Sequence, residues 1–105
     1  MTAILTALVI ALTPQSDHRW QIVRPYNAKL ERMAMCESTK RWHIVKRNRD
    51  GSVFYGGLQF TLSTWKSVGG RGYPHRNTKL EQKYRAVKLI KKNHGYGDWP
   101  VCGKA

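Results

Sequence analysis

The sequence predicts one small α+β domain, mainly helical, with three main helices, a short hairpin and one disulfide. Three observations predict it. Apolar residues recur at helical spacing in two long stretches, each opened by a residue able to cap a helix. Between them lies a glycine-rich region containing one short extended run, "VFY". Two cysteines, Cys36 and Cys102, stand at the two ends of the expected folded part.

The first helix runs "AKLERMAMCES", with Asn27 as its expected cap. Leu30, Met33 and Ala34 fall at i, i+3, i+4 and mark its buried face. Glu37 follows Leu30 by seven residues and Met33 by four, so it projects from the apolar side, away from Lys29 and Arg32. Next, "RDGS" reads as a turn and Val53 to Tyr55 as half of a small hairpin. Gly56 and Gly57 permit a sharp reversal or a close approach to a ligand. Thr61 caps a short helix "LSTWKSV" that stops at Gly69 and Gly70. "TKLE" is a capping box, Thr78 with Glu81, that starts the third helix at Lys79. Leu80, Tyr84, Val87 and Ile90 form its expected stripe, and Gly95 ends it.

Residues 27–105 are the expected domain, and residues 1–26 an N-terminal apolar segment and lead-in. Ala3 to Leu12, "AILTALVIAL", has the length of a signal-peptide apolar region and is too short to span a membrane. No Lys or Arg precedes it and "TPQS" is a poor cleavage site, so a buried N-terminal segment is the alternative reading. Of residues 14–26 the apolar Trp20, Ile22 and Val23 are the main feature.

Nineteen Lys plus Arg against six Asp plus Glu give a formal charge of +13, more than solubility requires. An acidic partner is expected: nucleic acid, an anionic membrane, or an anionic cell-wall polymer. With 41% hydrophobic residues and four tryptophans the composition excludes a disordered basic tail. Cys36 and Cys102 lack CxxC spacing and read as one disulfide, worth about 4 kcal/mol in the chain-entropy model and implying an extracytoplasmic setting. His18, His43, His75 and His94 form no HxH or HxxxH pair, so neither a metal site nor a cofactor is expected.

Taken in order, "CES", "YGGLQF", "STW" and "GDWPVC" resemble the catalytic domain of resuscitation-promoting factors, wall-lytic proteins with a lysozyme-like fold. The resemblance covers residues 30–102. It implies cleavage of the bond between N-acetylmuramic acid and N-acetylglucosamine in peptidoglycan, with Glu37 as catalytic acid and Cys36 bonded to Cys102. It further implies that Tyr55, Gln59 and Thr64 line a saccharide groove, and it matches Trp42 to a family tryptophan that either binds sugar or packs. Trp65 and Trp99 are assigned to the core. The family usually has glycines and an asparagine where this chain has "STKR", which brings Lys40 and Arg41 close to Glu37 in sequence.

Glycosidic cleavage needs a proton on the leaving oxygen, and a half-apolar site at a helix C-terminus keeps a carboxyl protonated toward neutral pH. Asp50 is the candidate second carboxylate, against its ordinary role in an Asp-Gly turn. With one well-placed carboxylate, lytic transglycosylation is the favoured reaction, and lysozyme-like hydrolysis uses the same residues. The expected partners are peptidoglycan strands and the anionic wall surface, with a wall endopeptidase as a further candidate. No specific nucleic acid is expected, and the chain reads as a monomer. The expected location is secreted or wall-associated, with a phage source as one alternative. The rival class is a non-catalytic basic module for wall polymer or nucleic acid; a family member that binds glycan without cutting is a third.

Overall fold

The computed structural model describes residues 17–105, so the apolar segment from Ala3 to Leu12 lies outside the described residues. The order is α1 (His18–Val23), a 3-10 turn (Arg24–Tyr26), α2 (Asn27–Ser38), β1 (Val45–Arg47), β2 (Val53–Tyr55), α3 (Leu62–Ser67), a 3-10 turn (Pro74–Arg76), α4 (Lys79–Lys92) and a 3-10 turn (Cys102–Lys104). β1 and β2 are antiparallel, with Val45 opposite Tyr55 and Lys46 opposite Phe54. The mainly helical α+β class, the hairpin and the Cys36–Cys102 bond all appear as the sequence predicts.

Local chemistry sets the helix boundaries. Thr61 and Thr78 are extended N-caps whose side-chain oxygens accept from the N–H groups of Thr64 and Glu81. Asp17 caps α1 in the same way, through Arg19 N–H. Asn27 does not act as the expected cap, because Pro25 and the 3-10 turn already lead the chain into α2 with helical backbone angles. Its Oδ1 instead accepts from Lys83 Nζ at 2.6 Å.

Val23, Leu30, Met33, Leu58, Trp65 and Val87 are fully buried, and Trp20 and Ile22 pack against them. The folded core therefore draws on α1, upstream of Asn27. In α4 the buried arc holds Gln82, Lys83, Ala86, Val87, Leu89 and Ile90, while Leu80 and Tyr84 sit at its margin. Two polar residues can occupy that arc because both find partners there. Gln82 accepts from Gly57 N–H at 3.0 Å and donates to the carbonyls of Trp42 at 2.8 Å and Asn77 at 3.0 Å. Lys83 pairs with Glu31, which also binds Lys79 at 2.8 Å and Lys40 at 3.3 Å. Burial pulls the Glu31 carboxyl upward, but hydrogen bonds from Lys79 and Lys83 outweigh it and hold it at about 2.

After α2 the chain turns through two consecutive left-handed residues, Thr39 (φ 54°) and Lys40 (φ 59°). Their N–H groups fold back onto the carbonyls of Met35 and Ala34. Glycine and asparagine suit such angles, and a β-branched threonine does not.

Two outcomes follow. Thr39→Gly relieves left-handed strain and is expected to stabilise the fold by about 1 kcal/mol, read as a melting-temperature rise of about 4–8 °C. Glu31→Gln leaves Lys83 buried without its counter-charge and should cost about 2–4 kcal/mol in urea unfolding at neutral pH. That loss should shrink as pH falls from the ordinary glutamate range towards 2, where the parent carboxylate also becomes protonated.

Candidate active site

Glu37 is held from both sides along the chain. Cys36 is bonded to Cys102 with 5.6 Å between Cα atoms. Ser38, buried on the Leu30 and Ala34 side of α2, donates its one hydroxyl proton to the Gly57 carbonyl at 2.9 Å, with the Ala34 carbonyl sharing it at 3.2 Å, and accepts from Arg41 N–H. The glutamate between them is half-buried.

Gly57 lies where a Cβ would come within 2.3 Å of the Trp42 ring, and a Cβ on Gly56 would come within 2.3 Å of Gln82 Oε1. The glycine pair thus serves a reversal packed on internal side chains.

Glu37 opens onto two adjoining cavities of about 300 and 360 Å³, which share Glu37, Lys46 and Gln59 as walls. The first is also lined by Phe54, Asp98 and Trp99, the second by Ser38, Arg41 and Arg47. A smaller cavity of about 70 Å³ extends the first past Phe54 and Asp98 to Thr64. On the other flank a cavity of about 360 Å³ shares Val45 and Arg47 with the second and reaches Tyr55. The hairpin separates the first cavity from the flanking one, and the second cavity borders both. Lys46 and Phe54 are cross-strand partners lining the first cavity, while Val45 and Tyr55 are partners lining the flanking one, as period-two alternation requires.

Burial pushes the Glu37 carboxyl above its ordinary range, and the charge on Lys46 pulls part of the way back. Lys40 is engaged by Glu31, and Arg41 Nε donates to the Ser38 carbonyl at 2.8 Å. The nearby cation that bears on Glu37 is therefore Lys46. The other five acidic side chains all have protein partners: Asp17 with Arg19, Glu31 with lysines, Asp50 with Ser52, Glu81 with Arg19 and Arg85, and Asp98 with Asn93. Among the described residues Glu37 alone has a carboxyl without a protein hydrogen bond or ion pair.

Gln59 also carries strain at this place, with φ 55°, and its Nε2 is fixed by donation to the Gly56 carbonyl at 2.9 Å. Its Oε1 remains to accept from a ligand. Thr64 Oγ1 accepts from Thr61 Oγ1 at 2.9 Å, which leaves its own proton to donate. The structure therefore puts Gln59 beside Glu37, with Thr64 and Tyr55 on opposite flanks. Trp42 is 8% exposed and packs in the core, with Lys79 and Lys83 about its ring at 5.3 and 5.5 Å. Asp50 is exposed and binds Ser52 N–H and Oγ within its turn, outside the walls of the two Glu37 cavities. Trp65 and Trp99 are buried as expected. Sequence reading missed Lys46, Asn48 and Asp98 as groove residues; the alternation along β1 was the available signal for the first two.

A family model described as a transglycosylase-like domain matches residues 24–102. The chain belongs to the transglycosylase-like domain family. It is 47% identical over 74 residues to "Resuscitation-promoting factor Rpf" of Micrococcus luteus, covering 70% of this chain and 31% of that protein. It is 32% identical over 93 residues to "Resuscitation-promoting factor RpfE" of Mycobacterium tuberculosis, covering 89% of this chain and 51% of that one. With "Resuscitation-promoting factor Rpf1" of Corynebacterium glutamicum it shares 36% over 75 residues, 69% of this chain and 36% of the relative. The chain thus spans between about a third and a half of these relatives. As a transglycosylase-like domain it has the small lysozyme-like architecture that the resemblance implied.

The upward shift at Glu37 has a consequence measurable without substrate. The native state holds this proton above the ordinary glutamate pKa and the unfolded chain does not, so stability falls as pH rises through that window. Glu37→Gln removes the dependence: its stability relative to the parent should increase between pH 4 and pH 8. A constant difference across that range in urea titrations would show that the carboxyl is not shifted.

Proposed function

We propose that this domain cleaves peptidoglycan at the bond between N-acetylmuramic acid and N-acetylglucosamine, with Glu37 as general acid and then base. The observation that carries the reading is the Glu37 carboxyl: half-buried, shifted upward, free of protein partners and placed where two cavities meet. In the favoured course Glu37 donates its proton to the glycosidic oxygen as the carbon–oxygen bond breaks. It then takes the proton of the muramyl 6-hydroxyl, whose oxygen closes on the anomeric carbon to give an anhydro end.

Lys46 limits the upward shift and faces the carboxylate that forms. Gln59 and Thr64 offer an acceptor and a donor to sugar hydroxyls or acetamido groups, and Tyr55 offers a flat face. Trp42 acts through packing under Gly57. The disulfide and the +13 charge suit work outside the cytoplasm on an anionic wall.

A second reading is favoured by Asp98, which lines the first cavity beside Glu37. In it Asp98, rather than Asp50, is the second carboxylate of a hydrolytic pair. Mass analysis of muropeptides released from isolated sacculi separates the two, since transglycosylation leaves anhydro ends and hydrolysis leaves reducing ends. Glu37→Gln should lower the rate by about a hundred- to ten-thousand-fold. A comparable loss in Asp98→Asn would mark the hydrolytic course. No release from any wall, together with tight salt-sensitive duplex binding, would replace both with a nucleic-acid module.

Activity should fall as pH rises through the raised Glu37 pKa. Lys46→Gln removes the charge that opposes that shift, so the alkaline limb of kcat/KM should move to higher pH.

A further inference from the structure

The flanking cavity between β1 and the Pro74–Arg76 turn is lined by two arginines and no carboxylate. Arg47 comes from the hairpin and Arg76 from the turn, and both are exposed. Neither guanidinium has an ion pair among the described residues, whereas Arg19 and Arg85 are both taken up by Glu81. In the same cavity Tyr55 and His75 are stacked, with ring centroids 5.5 Å apart and planes at 27°, and Tyr73 closes the set at 5.5 Å from Tyr55. Arg76 lies over the Tyr73 ring at 5.6 Å, which sets its guanidinium against one aromatic wall of the cavity. The His75 ring buries a nitrogen, Nδ1, that has no partner among the described residues. Burial, with Arg76 and His43 nearby, holds that imidazole below its ordinary range, so the anion-binding charge of the cavity resides on the two arginines.

The cavity adjoins the second Glu37 cavity through Val45 and Arg47, so whatever occupies it belongs within reach of the reacting bond. We propose that this arginine and aromatic cavity binds the carboxylates of the peptide stem on a muramyl residue, so that the domain selects peptide-bearing glycan strands over denuded ones. The inference rests on the reading of the chain as a peptidoglycan glycosidase. Carboxylates suit the paired donors of a guanidinium fork. The stem hangs from every substituted muramyl ring, next to the bond to be cut; polymers attached at scattered points along the wall do not recur in that position.

The test compares kcat/KM on peptide-bearing strands with that on amidase-denuded strands, both from one wall preparation stripped of teichoic acid. The parent should favour peptide-bearing strands by about three- to tenfold, the range of a pair of exposed charge contacts. The double variant Arg47→Gln, Arg76→Gln should bring the ratio towards one, and so should amidation of the stem carboxylates. Equal parent rates on the two substrates, or an unchanged ratio in the double variant, would overturn the inference while leaving the glycosidase reading in place. A preference that appears only on walls retaining teichoic acid would assign the cavity to phosphate and overturn the stem. Binding is followed separately with free muramyl tripeptide. Its addition should shift the His75 and Tyr73 ring resonances in the parent and not in the double variant, and absence of that shift refutes the subsite even if no wall is cut.

Discussion

Everything at the candidate site depends on how residues 36–38 are fastened. A residue at the last turn of a helix ordinarily frays, because its carbonyls lack partners. Here the covalent bond at Cys36 and the buried hydroxyl of Ser38 remove that freedom on either side of Glu37. The hydroxyl reaches Gly57, and Gly57 in turn donates to Gln82, whose amide also holds the Trp42 carbonyl. The end of α2, the glycine reversal and the long C-terminal helix are thus joined through two buried polar side chains. Such groups are costly unless fully satisfied, so the network tolerates little displacement.

The distribution of acids shows a division of labour. Five of the six carboxyls neutralise or orient neighbours, with Glu31 gathering three lysines and Glu81 bridging α1 to α4 through Arg19. For Asp17 and Glu31 such pairing holds the carboxyl down at about 2, and the Ser52 hydrogen bonds lower Asp50 in the same direction. Glu37 escapes because the two cations that follow it most closely in sequence are directed elsewhere, Lys40 to Glu31 and Arg41 to a backbone carbonyl. The surplus of positive charge in this chain is therefore compatible with a carboxyl that retains its proton.

The sequence was most informative where short-range chemistry decides. Thr61 and Thr78 fixed the starts of α3 and α4, and the spacing of Leu30, Met33 and Glu37 placed the carboxyl on the inner side of its helix. It was least informative where a distant partner decides. Lys83 looks like a surface lysine until Glu31 and Asn27 come to meet it, and Gln82 interrupts an apolar arc for reasons located at Gly57 and Trp42. Asn27 has the chemistry of a cap, yet the preceding turn leaves it nothing to cap. Glu37, Gln59, Thr64 and Tyr55, which the motifs single out, all stand in cavity walls; a saccharide-holding role for the last three is what the resemblance implies. The contributions of Lys46 and Asp98 required knowing which face of the hairpin and which side of the tail meet α2.

The Cys36–Cys102 bond joins positions 66 apart, so most of the described chain lies inside one covalent ring. A single peptide-bond cut anywhere within that ring opens it without dividing the molecule. The two pieces stay linked through sulfur, with the helix end that carries Glu37 still tied to the segment that carries Trp99. Separating them requires a second cut or a reductant. In surroundings rich in peptidases, an isolated nick in the exposed turn at residues 49–51 is thus a wound that the protein's connectivity survives.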